Sequence, residues 1–156
     1  AYFKEYADEV LALYPASTNE EADSYWAQIY GAVFFNYPHY CLNRLAVSEG
    51  IPVWEYYFSK DNGRLGSWHS GEMIYAFGNL PENSKLFDAA DYELSGRMHQ
   101  VWTNFAAFGD PNGAESGDFS QNVDSTKLYE FGVHVGMIEE PYLKLYEIMD
   151  RMQGWQ

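Results

Sequence analysis

Apolar residues recur every three or four positions at the start of the chain. Phe3, Tyr6, Ala7, Val10, Leu11 and Tyr14 would share one face of a helix over about residues 2–13, which Pro15 ends because it has no N–H to donate. Ser17-Thr18-Asn19-Glu20-Glu21 then has the form of a capping box, where a hydroxyl and a carboxylate satisfy the free amides of a first turn. Ala22, Trp26, Ile29 and Val33 supply the apolar stripe of the second helix that follows it. Pro38 restarts the chain, and Tyr40, Leu42, Leu45 and Ala46 suit a third helix that Gly50 terminates.

The pattern then changes. Residues 51–58, Ile-Pro-Val-Trp-Glu-Tyr-Tyr-Phe, are dense in β-branched and aromatic side chains and lie between Gly50 and an Asp61-Asn-Gly63 turn, which predicts a mostly buried strand. Helical spacing returns with Phe87, Ala90, Leu94, Met98, Val101, Trp102, Phe105 and Phe108, a long amphipathic helix stopped by Gly109 and Pro111. Residues 112–124, rich in Gly, Ser, Asn and Asp, form a surface loop leading to a short strand at 127–131. Pro141 sits in the first turn of a last helix whose apolar face is Tyr142, Leu145, Tyr146, Met149 and Met152. Two strands among five helices leave sheet edges and apolar faces without partners. The expectation is one partial α/β domain over 1–156, completed by a segment that this chain does not carry.

Composition narrows the functions. The chain has 156 residues, 47% of them hydrophobic, enough for one sizeable core, and no linker or internal repeat divides it. Nine basic residues against 23 acidic ones give a net charge of −14, which repels a phosphate backbone or an anionic bilayer and excludes nucleic acid as a partner. No stretch approaches the roughly 20 apolar residues of a membrane span. The single cysteine, Cys41, excludes an internal disulfide. Aromatic residues, 19% of the chain, fit a core, an interface or a stacking platform for sugars, and the last of these would place exposed rings in a row.

His69 carries the candidate chemistry. It lies in Gly66-Ser-Trp-His-Ser-Gly-Glu-Met-Ile-Tyr-Ala-Phe-Gly-Asn79, on a loop of small residues after a strand, with the carboxylate of Glu72 three positions on. An imidazole with an ordinary pKa of about 6.5 accepts and returns protons near neutral pH. Ser70 is a small residue that lets the loop turn. His39, two residues before Cys41, lacks the second ligand pair that a zinc site needs, while His99 and His134 read as surface or packing residues.

That loop, with Gly50-Ile-Pro-Val-Trp-Glu-Tyr-Tyr-Phe58 before it and Leu94-Ser-Gly-Arg-Met98 and Trp102-Thr-Asn-Phe-Ala-Ala-Phe-Gly-Asp-Pro-Asn112 after it, resembles type-B carboxylesterases, the cholinesterase-like branch of the α/β-hydrolases. Leu128-Tyr-Glu-Phe-Gly132 and Met137-Ile-Glu-Glu-Pro-Tyr142 look like the edge strand and tail of bacterial members. The resemblance implies the C-terminal portion of an α/β-hydrolase fold, mostly helices with a few strands from the edge of the sheet. It makes His69 the catalytic histidine of a Ser-His-acid triad, and Glu72 an acid next to the base. Family members carry their serine on a Gly-x-Ser-x-Gly elbow, which this chain lacks: Ala46-Val-Ser-Glu-Gly50 follows a helix and precedes a strand, the reverse of an elbow. The implied parent hydrolyses a small-molecule carboxylic ester without metal or organic cofactor, the chain alone is inactive, and its partner is the N-terminal remainder of the same protein or a second copy. Two alternatives stand beside it: a non-catalytic cholinesterase-like binding or adhesion protein, and a carbohydrate-binding module.

Overall fold

The computed structural model describes residues 2–61, 66–114 and 117–155. It divides into two compact units, one made of Ala1–Ile51 with Glu140–Gln156 and the other of Pro52–Glu139.

The first unit is helical. A 3-10 turn, Lys4–Tyr6, leads into α1 (Ala7–Leu13), and α2 (Asn19–Gly31) begins with the expected capping box: the Thr18 hydroxyl accepts from the Glu21 amide at 3.1 Å, and the Glu21 carboxylate accepts from Thr18 N. Pro38 does not restart the chain. A π-helical stretch, Ala32–Asn36, joins α2 directly to α3 (Tyr37–Ser48), with the Tyr37 amide reaching five residues back to the Ala32 carbonyl. One widened turn absorbs the ring and the missing N–H that would otherwise break the helix. Gly50, at φ 70°, ends α3 in a Schellman motif: its amide donates to the Val47 carbonyl, and that of Ile51 to Ala46.

Val10, Ala32, Val33, Tyr37 and Tyr40 pack with Leu145, Tyr146, Ile148 and Met149 of α6 (Leu143–Gln153). The predicted stripe of α2 is buried only at its far end. Trp26 is 64% exposed and forms a row with Tyr30 and Phe34.

In the second unit β1 (Tyr56–Phe58) runs parallel to β2 (Lys127–Phe131), which pairs antiparallel with β3 (Val135–Glu139). The register sets Tyr56 beside Tyr129 and Phe58 beside Phe131. The first predicted strand is shorter than residues 51–58 and is not deeply buried. Pro52 cannot donate to a ladder, Val53 makes a single bridge to Asn122, and β1 has one neighbour among the described residues. The turn expected after Asp61 lies outside the described residues. A third strand, β3, was not predicted as an element of its own.

Among the described residues, two helices lie between β1 and β2 in the chain: α4 (Met73–Ala76) and the long α5 (Ala89–Phe108). Asp88 and Asp91 form the capping box of α5, and Gly109, at φ 70°, closes it. Leu94, Met98 and Val101 pack on Tyr129 and Phe131 of β2. Phe105 and Phe108, expected on the buried face, are exposed. The architecture is α/β, mostly helices with a small mixed sheet. No helix among the described residues is long and apolar enough to cross a membrane.

Candidate active site

His69 is exposed on the turn that precedes α4. The turn is tight: the Gly71 amide donates to the Trp68 carbonyl at 2.9 Å, and that of Met73 to Ser70 at 3.2 Å. Ser70 adopts φ 66°, a left-handed conformation that L-residues adopt infrequently, so it does turn the loop as its small side chain suggested. Gly71 is required for another reason. A Cβ there would stand 2.9 Å from the Trp68 carbonyl oxygen and 3.1 Å from the Trp68 ring.

Glu72 occupies the position before α4, without a side-chain capping bond, and is half-buried. Burial first, and the negative charge of Glu72 second, push the hydroxyl pKa of Tyr56 up. Glu72 therefore lies close enough to Tyr56, the first residue of β1, for its charge to be felt there.

What fixes the turn is α4, and what fixes α4 is α5. The Tyr75 carbonyl accepts from the Ser95 hydroxyl at 2.9 Å, and the Ala76 carbonyl accepts from Nδ1 of His99 at 3.1 Å. Gly78, at φ 65°, ends α4 beneath the His99 ring. The Tyr75 hydroxyl donates to Asp91 at 2.8 Å. His99, exposed on α5, is thus a packing residue bonded to the backbone that follows the His69 turn.

These supports were not anticipated. A carboxylate at Asp91 looks like an ordinary helix cap, and only the fold brings Lys60 Nζ to within 3.2 Å of it. Burial, the largest influence on Asp91, would raise its pKa. The hydrogen bonds from Asp88, Tyr75 and Lys60 outweigh it and hold the carboxyl below its ordinary value.

His39 is exposed on α3, and no group of three or more His, Cys, Asp or Glu among the described residues is placed to hold a metal ion. Burial raises the pKa of Cys41, with the Tyr37 hydrogen bond acting against it.

A histidine turn precedes a helix pair that packs on a small mixed sheet, an α/β arrangement. The chain belongs to the carboxylesterase family, whose model matches residues 2–145. It is 33% identical to acetylcholinesterase 1 of Caenorhabditis elegans over 110 residues, 63% of this chain and 18% of that protein. It is 30% identical to mouse carboxylesterase 5A over 120 residues, 69% of this chain and 21% of that protein. A solved structure of a Geobacillus stearothermophilus carboxylesterase at pH 6.2 shares the fold over 99% of this chain and 30% of its own, with a TM-score of 0.65 and 20% identity. The chain thus spans about a fifth of the length of the curated relatives it matches.

Proposed function

We propose that the chain is the C-terminal portion of a type-B carboxylesterase and that it supplies His69 as the histidine of a Ser-His-acid triad. In the intact enzyme, the neutral imidazole takes the serine hydroxyl proton as the oxygen attacks the ester carbonyl. It gives that proton to the departing alcohol, and an acyl-serine remains. Water, deprotonated by the same imidazole, then releases the acid. The serine and the triad acid come from the N-terminal remainder of the protein, and the substrate is a small-molecule carboxylic ester. No step calls for a metal or organic cofactor. Glu72 orients and electrically tunes the loop from its half-buried position at the start of α4.

The observation that carries this reading is the combination of family membership with an exposed histidine on a turn locked from below. The share of relatives covered supports a larger parent, and so does β1, which has one neighbour among the described residues.

The row Trp26, Tyr30 and Phe34 meets the first requirement of the carbohydrate-binding alternative. Its rings are inclined by 50° and 41° to one another, which gives no flat platform for a sugar face. Rings tilted against one another are what packing makes.

The test compares two polypeptides on p-nitrophenyl butyrate: these 156 residues alone, and the same residues behind their natural upstream segment. The first is expected to be silent and the second to turn over. Turnover by the short chain, or none by the long one when folded, contradicts the proposal.

A further inference from the structure

Asp91 is a nearly fully buried carboxylate that receives three donors. Its Oδ1 accepts from the Tyr75 hydroxyl at 2.8 Å and faces Lys60 Nζ at 3.2 Å, while Oδ2 accepts from the Asp88 amide at 2.8 Å. Lys60 comes just before the segment that carries His69, and Tyr75 comes just after it. The third donor belongs to the first turn of α5, the most firmly capped helix of the unit.

We propose that Asp91 is a positioning residue: by tying Tyr75, on the short helix that follows the His69 turn, to the start of α5 and to Lys60, it fixes α4 and so sets where the imidazole is presented. The proposal rests on the reading of His69 as the triad base.

A stability role alone would not call for this arrangement. Taking an ion pair out of water costs as much as the pair returns, and apolar residues of the same volume serve as well or better. A network of this kind gives direction instead, because both carboxylate oxygens have assigned donors, Tyr75 and Lys60 on Oδ1 and the Asp88 amide on Oδ2. The ring contact between Phe58 and Tyr75, with centroids 5.2 Å apart, is non-directional and permits sliding that the hydrogen bonds forbid. Proton transfer to and from a serine demands that kind of control: a displacement of about 1 Å costs about a hundredfold in rate.

The experiment uses the full-length polypeptide with p-nitrophenyl butyrate. Asp91→Asn, Lys60→Met and Tyr75→Phe are each measured for kcat, KM and thermal midpoint, and Val10→Ala, in the other unit, gives the effect of destabilisation by itself. Expected is a fall in kcat of about 10–100-fold with KM held within about twofold, while Val10→Ala lowers the midpoint and leaves kcat alone. If Asp91→Asn does not fold, Lys60→Met and Tyr75→Phe decide, since each removes a single donor. Wild-type kcat in the folded variants, or losses that follow the thermal midpoint as Val10→Ala does, overturns the proposal. His69→Ala in the same assay separates the two ideas. Its full activity would remove the underlying reading and this one with it, whereas its silence beside normal clamp variants would remove the clamp alone.

Discussion

The hydroxyl of Tyr75 donates to Asp91 across 2.8 Å, joining the short helix after the His69 turn to the first turn of the long helix that packs on the sheet. Burial first, and this bond second, push the pKa of the Tyr75 hydroxyl up.

Acid sensitivity follows from the sign of the shift at Asp91. Its folded pKa lies below the ordinary 3.8, so its contribution to stability is complete above that value and fades as pH falls through the folded one. Replacing it by Asn leaves the half-buried Lys60 without this partner, at a cost of about 2–4 kcal/mol. The stability gap between wild type and Asp91→Asn, followed by chemical denaturation at a series of pH values, is expected to be constant from pH 7 to about 4 and to close below it. A gap that widens on acidification contradicts this assignment.

Gly71→Ala tests the shape of the turn. The added methyl group would sit 2.9 Å from a backbone oxygen that cannot swing away, so the turn must shift or open. Overpacking of this kind costs about 1–3 kcal/mol. A lowered thermal midpoint accompanied by a lower kcat is expected, and an unchanged kcat would show that the turn does not set the position of His69.

Cys41 offers a probe of the helical unit. Burial lifts its thiol above the ordinary value of 9.0, so its folded form is protonated near neutrality and a poor nucleophile. Reaction with a disulfide reagent at pH 8 should be slow in the native protein and become fast in denaturant. Because the folded pKa is raised, its contribution to stability is present below 9.0 and is lost as pH rises through the folded value. Native labelling at the denatured rate would contradict the packing of α3.

How much of this was legible in the sequence depended on how local the cause was. The long helix could be read because its period runs over about five turns and its stop, Gly109, is written beside it, while its start at the Asp88 cap went unread and Phe87 falls outside it; β2 came out at its true bounds. Pro38 misled because a proline is a local break signal, and only the π-helical turn around it shows how the helix continues. Trp26 and Phe105 carry the period of buried faces, yet periodicity names the side of a helix and not what covers it. The His69 turn was legible as chemistry. Its foundation was not, since Lys60 and Asp91 stand far apart in sequence and meet only in the fold.

The central claim is that one imidazole moves the proton of the ester-cleaving step, and the steady-state turnover of His69→Ala in the full-length polypeptide tests it most directly. A fall in kcat of about four to six powers of ten with the thermal midpoint preserved is predicted. Turnover within about tenfold of wild type in that variant would contradict it.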